Sequence, residues 1–159
     1  MSALLQDYGP VDDSSMVRQY FKEPITKVTS TKSAEETAEA LQLVLDVMEV
    51  TNLVAAAEAI SFARYLKVDL KQFFTLVSDA AGASRQFMTK GLEMIEGNIG
   101  KNSETINEAI ARLEKGVQKA RDLHCPLHLG NAAINVLFMA KRAGLGAEGS
   151  TSVIKAFGN

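Results

Sequence analysis

SAEETAEALQLVLDVMEVTNLVAAAEAISFARYL, residues 33–66, decides the fold. Ser33 is a good N-cap, because its hydroxyl can accept an orphan backbone N–H at the start of a helix, and Glu36 three residues on completes a capping box. Glu35 favours the positive end of the helix dipole. No Gly or Pro interrupts the stretch, and Ala and Leu dominate it, the composition with the lowest helical cost. The spacing predicts one long helix from Ser33 to Leu66. Its two halves differ. In the first, Glu35, Glu39, Gln42, Asp46 and Glu49 fall in a narrow polar arc at the helical repeat. In the second, Leu53, Val54, Ala55, Ala56, Ala57, Ala59, Ile60, Phe62, Ala63 and Leu66 leave almost no polar side. A helix apolar all round is enclosed by others. The second half is therefore expected at the centre of a helical bundle, and the polar stripe of the first half against solvent, a pocket or a partner.

The rest of the chain supports an all-α reading. With 159 residues there is material for one domain and its core, and 47% apolar with 23% charged residues is ordinary for a globular protein. The net charge of −2, with Lys and Arg scattered among acids, gives no stripe for nucleic acid. Cys125 stands alone, so neither an internal disulfide nor a Cys-based metal site is expected. Met1–Leu5 is followed by Asp7, Asp12 and Asp13, unlike a signal peptide, and no apolar run reaches membrane length. The cytoplasm is the expected location, with no membrane partner.

Residues 1–32 read as an arm with a short helix over Ser14–Phe21, and residues 33–159 as the helical domain. Asp69 caps a helix from Leu70 to Asp79 that buries Leu70, Phe73, Phe74 and Val77. Ser84 starts another to Glu96, burying Phe87, Met88, Leu92 and Ile95, and Gly97 ends it. Ser103 caps a long helix to His124 with Ile106, Ile110, Leu113, Val117, Ala120 and Leu123 on one side. Pro126 suits the first position of a helix reaching Ala143. Ser150 or Thr151 caps a last short helix to Phe157. The methionines and Phe138 fall at core spacing.

The stretches TNLVAAAEAISFARYLKVDL, SDAAGASRQFM and ARDLHCPLHLGNAAINVLFMAKRAGLGAEGSTSVIKAF together resemble the helical C-terminal domain of the β-hydroxyacid dehydrogenases, which include 3-hydroxyisobutyrate dehydrogenase and are related to 6-phosphogluconate dehydrogenase. The likeness covers about residues 40–157. It implies six to seven helices around one long helix, with substrate groups and a dimer contact supplied by the helical domain. The family's long helix carries a catalytic lysine in a Lys-x-x-Asn-Asn pattern. Aligned on Ala57-Glu58-Ala59, that lysine falls on Gln42 and the asparagines on Leu45-Asp46. A neutral amide cannot deliver the proton that a lysine gives to a developing alkoxide. The family's later Lys-Asp pair falls on Ala111-Arg112, while Ser84 in Gly82-Ala83-Ser84 matches a serine turn lining the substrate site. The sequence is read as carrying no Gly-x-Gly-x-x-Gly fingerprint anywhere, and 159 residues leave no room for a dinucleotide domain beside the helices. Hydride transfer by these residues alone is not expected, and neither is a cofactor.

Three groups are candidates for chemistry. Asp46 and Glu49, stacked with Gln42 on one face, can share a proton if desolvated and act as a catalytic acid–base pair; the plainer reading is a solvated face. Ser84 and Arg85, at a helix start, can hold a carboxylate or phosphate, against plain capping with a surface arginine. His124, Cys125 and His128 have the residue types of a nucleophile or metal site, but Pro126 breaks the helix between them, and a corner with a buried thiol is the plainer reading. No metal is expected. Glu58 is expected to be structural. The functional expectation is a derivative of a dehydrogenase substrate and dimerisation domain that binds a small organic molecule as a homodimer. Any reaction would be non-redox: an isomerisation, elimination or cyclisation, with Asp46 and Glu49 as catalytic groups and Gln42, Ser84 and Arg85 binding substrate. The alternative is a non-catalytic interaction module, or the partner of a separate dinucleotide-binding chain.

Overall fold

The computed structural model describes residues 33–97 and 104–158, so the expected arm over residues 1–32 and the Ser103 cap lie outside the described residues. By contacts the chain divides into residues 1–38 and 39–159, and the hydrophobic core belongs to the second. The first helix, α1 (Ala34–Tyr65), opens as the sequence predicts: the Glu36 N–H donates to Ser33 Oγ at 3.1 Å and the Ser33 N–H to Glu36 Oε2 at 2.7 Å. It stops at Lys67, whose φ of +58° lets Val68 N–H reach back to the Ala63 carbonyl and Lys67 N–H to that of Arg64. Asp69 then accepts the Gln72 N–H at 2.8 Å and starts α2 (Leu70–Ser78). Ser84 accepts the Phe87 N–H at 3.1 Å and starts α3 (Arg85–Glu96), which ends on Gly97 at φ +70°.

Thr105 is the cap of α4 (Ile106–Asp122), with Glu108 closing a full capping box; the expected start two residues earlier missed it. α5 (His128–Ala140) follows, then one π-helical turn over Lys141–Leu145 and a 3-10 helix over Ser150–Phe157. Pro126 lies before α5 rather than in its first turn. The reason is the stop of α4, where His124 takes φ +55° and the Cys125 N–H closes on the Ala120 carbonyl at 2.8 Å, so the chain needs extra residues before turning helical again. The last helix has no side-chain cap. Its Ser150 and Thr151 are buried, and Gly149 precedes it.

Among the described residues there is no strand, only an isolated bridge between Thr105 and Gly149. The fold is all-α, packed about the buried side of α1. Val50, Leu53, Val54, Ala57 and Ile60 of α1 meet Ile110, Leu113 and Val117 of α4, Leu137 of α5, Val153 and Ile154 in one core. Phe87 joins it from α3, stacked on Phe74 at 5.2 Å and edge-on to Phe73 at 5.8 Å. α1 and α4 approach closely at Gly116, where an added Cβ would strike the Val47 side chain.

The enclosure expected for the second half of α1 is only half realised. Ala55, Ala59, Phe62 and Leu66 are exposed, Phe62 to 64%. Composition around a helix says how much surface wants cover, not how many neighbours one chain supplies. On α3, Met88 and Leu92 face outward, while Gly91 and Met94 face in, because glycine at 91 lets the Phe74 ring lie against the helix. Leu123, Phe138, Met48 and Met139 are also exposed rather than core.

Candidate functional site

The close approach at Gly116 puts Arg112, one turn earlier on α4, beside the residues flanking Val47 on α1. Arg112 Nη1 donates to Asp46 Oδ1 at 3.2 Å and to Glu49 Oε2 at 2.9 Å. Its Nη2 donates to Glu104 Oε2 at 3.1 Å, and its Nε lies 2.7 Å from Glu104 Oε1. Gln42 Nε2 donates to the same Asp46 Oδ1 at 2.9 Å. The structure thus gathers Gln42, Asp46 and Glu49 as their spacing predicts, but around a cation. Asp46 is buried, whereas Gln42 and Glu49 are exposed.

Three carboxylates share one guanidinium, and this sets the ionisation of the group. Burial is the largest influence on Glu104 and raises its carboxyl above the usual range, against the lowering by Arg112. For Arg112 burial is also the largest single influence and opposes the charge, yet Glu49, Glu104 and Asp46 together outweigh it and hold the guanidinium above its ordinary value. A proton shared between Asp46 and Glu49 would need the pair desolvated without a counter-charge. Here the counter-charge is fixed on α4. The arrangement ties α1 to α4 and to the start of α4 at Glu104. Sequence reasoning missed Arg112 and Glu104 as members. Arg112 was visible only as the residue standing where the family has an aspartate, and nothing local signals a contact across 66 positions.

Ser84 spends its hydroxyl on the α3 cap, and Arg85 is exposed in the first turn. Among the described residues no hydrogen bond or ion pair joins either to the Gln42–Asp46–Glu49 group. His124, Cys125 and His128 are all exposed, so the thiol at that corner is not buried as expected. Among the described residues no group of three His, Cys, Asp or Glu side chains is placed to hold a metal ion.

A different face of α1 carries the open surface. Leu41, Val44, Leu45 and Met48 are each more than half exposed, and so are Phe62, Tyr65 and Leu66. Between Phe62, Tyr65 and Phe157 lies an open hollow of about 490 Å³, floored by Ala55, Ala59 and Ser61. Tyr65 Oη donates to the Phe157 carbonyl across it at 3.4 Å. Glu58 lines this hollow and is exposed. Ser61 Oγ is buried there without a hydrogen-bond partner.

One glycine pattern corrects the sequence reading. Gly144-Leu145-Gly146-Ala147-Glu148-Gly149 has the Gly-x-Gly-x-x-Gly spacing. It does not form a dinucleotide cradle: no strand precedes it, and Gly146 is buried with Asn107 Oδ1 2.9 Å from where its Cβ would stand. The loop is stapled to the start of α4, with Ile106 N–H on the Glu148 carbonyl and Asn107 N–H on that of Gly146. The space a pyrophosphate would need is filled.

Residues 37–157 match the family described as NAD-binding of NADP-dependent 3-hydroxyisobutyrate dehydrogenase. L-threonate dehydrogenase of Escherichia coli K12 is 30% identical over 106 residues, covering 67% of this chain and 35% of that protein. The Haemophilus influenzae L-threonate dehydrogenase is 29% identical over 117 residues, 74% of this chain and 38% of that one. The chain thus matches little more than a third of the length of either relative. The crystal structure of a 3-hydroxyisobutyrate dehydrogenase from Salmonella typhimurium superposes with a TM-score of 0.70 at 26% identity, covering 73% of this chain and 40% of that one. The Mycobacterium tuberculosis 3-hydroxyisobutyrate dehydrogenase shares the fold, with a TM-score of 0.65 at 16% identity over 76% of this chain and 43% of that one.

Proposed function

Since the chain belongs to the NAD-binding family of NADP-dependent 3-hydroxyisobutyrate dehydrogenase, we propose that it works as that family's helical docking module, presenting the outer face of α1 to another folded unit and catalysing no hydride transfer by itself. The observation that carries this is the exposure of large apolar side chains near both ends of α1, at Leu41, Val44, Leu45 and Met48 and at Phe62, Tyr65 and Leu66. Clusters of exposed large apolar side chains mark interaction sites. Two further observations support it. Asp46 and Glu49 are held by Arg112 in an ion cluster between helices, and the glycine loop at 144–149 is closed by Asn107. The natural partners are a second copy of the chain, or a dinucleotide-binding unit of the kind that would fill the remaining length of the relatives.

The test supplies both partners in trans. The chain is mixed with the segment of Escherichia coli L-threonate dehydrogenase that it does not match, and, separately, studied alone by sedimentation. A complex in either arm that Leu45→Glu abolishes supports the docking reading; none in either arm refutes it. NADPH and NADH titrated into the chain alone are expected to give no binding signal.

Small-molecule binding is the second reading, favoured by the hollow at Ala55–Phe62 and the unpartnered Ser61 hydroxyl inside it. In that reading Asp46 and Glu49 perform a non-redox proton transfer and Gln42, Ser84 and Arg85 orient the substrate. Thermal-shift screening with small hydroxy acids, with Glu58→Gln and Ser61→Ala as controls in the hollow, decides it. Stabilisation by a hydroxy acid that both variants lose supports this reading; no stabilised ligand removes it.

A further inference from the structure

The hollow beside the C-terminal half of α1 has walls of one chemical kind. Glu58, Ser61, Phe62 and Tyr65 share one face of α1, because their spacing follows the helical repeat. Phe157 stands on the other side, on the last helix, and the small side chains of Ala55 and Ala59 leave the floor low. The polar groups here are acceptors. Glu58 is an exposed carboxylate and, among the described residues, has no ion-pair partner. Tyr65 Oη gives its proton to the Phe157 carbonyl at 3.4 Å, which leaves the phenolic oxygen only lone pairs to offer. Ser61 is 2% exposed, and its Oγ has no partner.

No Lys, Arg or His among the described residues lines the hollow. The cations nearest in sequence are turned away or engaged elsewhere. Arg64 lies about 120° round α1 from Glu58, and Lys155 binds Glu148 at 2.8 Å. A carboxylate entering the hollow would meet Glu58 and the negative faces of aromatic rings with no counter-charge. An ammonium meets the opposite situation: the carboxylate attracts it, ring faces attract it through their quadrupoles, and its N–H groups answer acceptors. A quaternary ammonium has no N–H to give, and an alcohol has no charge.

We propose that this hollow binds a primary ammonium carried on an apolar body, an aralkylamine in class, with the ammonium on Glu58 and the body between Phe62, Tyr65 and Phe157. This rests on the small-molecule reading above and deepens it by naming the ligand as an amine in place of a hydroxy acid. The hollow is open, so the ligand keeps one side in water. Exposed ion pairs and exposed cation–π contacts are each weak, and the dissociation constant is expected at about 1–5 mM.

The experiment is a methyl NMR titration of the full chain at low ionic strength, where surface charge is least screened. The probes are phenethylammonium, its uncharged analogue phenethyl alcohol, its anionic analogue hydrocinnamate, and lactate. Phenethylammonium should shift the Ala55 and Ala59 methyl signals and leave those of the buried Ala109 and Ala133 in place. Phenethyl alcohol should bind at least about threefold more weakly, and hydrocinnamate more weakly still. Glu58→Gln should weaken the ammonium by about threefold, and Glu58→Lys should reverse the preference in favour of hydrocinnamate. Glu58 is exposed, so both variants should keep the helical circular dichroism. Equal affinity for phenethylammonium and phenethyl alcohol, an unchanged constant in Glu58→Gln, or a preference that survives Glu58→Lys overturns the proposal. Lactate shifting these methyls while phenethylammonium does not sinks the ammonium assignment and leaves the small-molecule reading standing. Silence from all four probes sinks both.

Discussion

Replacing Arg112 with Met removes the cation from three carboxylates while keeping the side-chain stem. Asp46 suffers most. It is 7% exposed and, among the described residues, keeps only the Gln42 amide at 2.9 Å. A charge-assisted hydrogen bond to a buried group contributes about 1.5–3 kcal/mol. Glu104 loses two contacts, but its side chain is 29% exposed, so about 1 kcal/mol is a fair share, and the half-exposed Glu49 adds at most about 0.5 kcal/mol. Water reaches part of the cluster and screens it, which brings the expected total to about 2–3 kcal/mol. For a domain of this size that lowers Tm by about 5–10 °C. The loss should depend on pH with a definite sign. Burial already raises the Glu104 carboxyl, and Arg112 is the chief influence pulling it back down, so without the arginine it rises further. A group raised in the folded state favours folding below its unfolded pKa and loses that contribution as pH rises through the folded pKa. Arg112→Met should therefore cost more at pH 7.5 than at pH 5. Urea denaturation at the two pH values measures this. A loss under about 0.5 kcal/mol, or one equal at both pH values, refutes the view that the cluster is a charge-matched tie between α1 and α4.

Gly116→Ala places a methyl against Val47 and should cost about 1–3 kcal/mol despite the better helix propensity of alanine; adding Val47→Ala should restore most of it in the same denaturation assay. Thr105→Ala removes the α4 capping box and should cost about 1 kcal/mol at neutral pH. The Thr105 backbone N–H, and next its hydroxyl, hold Glu108 below its ordinary value of 4.5. A lowered carboxyl stabilises above its unfolded pKa and loses that as pH falls through the folded value, so the Thr105→Ala deficit should narrow below pH 4.5 in acid-denaturation curves. His124→Gly should raise stability by about 0.5–1 kcal/mol, because a residue at φ +55° is strained unless it is glycine; no gain in thermal unfolding would mean that His124 makes a compensating contact.

Much of the fold was legible in local signals. Ser33, Asp69 and Ser84 are caps with their partners three residues on, and each starts a helix where the sequence places it. The α4 face of Ile106, Ile110, Leu113 and Val117 is buried as its spacing predicts. The failures are non-local. Which sides of α1 are covered depends on how many neighbours reach it, and a run of alanines reads the same whether it faces α4 or solvent. The stop of α4 depended on His124 taking a left-handed conformation that glycine usually fills, so Pro126 pointed to the wrong start for α5. The candidate site was half legible: the stacking of Gln42, Asp46 and Glu49 follows from helical geometry, but the meaning of those acids turned on Arg112. A stripe of carboxylates reads alike whether it binds a proton, a substrate or an arginine from another helix. The family resemblance located the right domain and the Gln42 and Arg112 departures, yet it could not supply the ion cluster those departures made possible.

The methionines offer the most direct measurement of the docking surface. Met48 lies on the outer face of α1 and is 57% exposed, Met139 on α5 is 59% exposed, and Met94 is buried. Oxidation by dilute peroxide, followed by mass spectrometry across a range of protein concentrations, compares them within one sample. If α1 docks through its outer face, Met48 oxidises as fast as Met139 in dilute solution and becomes protected as concentration rises or the trans-supplied unit is added, with Met139 unchanged and Met94 slow throughout. Equal rates for Met48 and Met139 under every condition would contradict docking through α1.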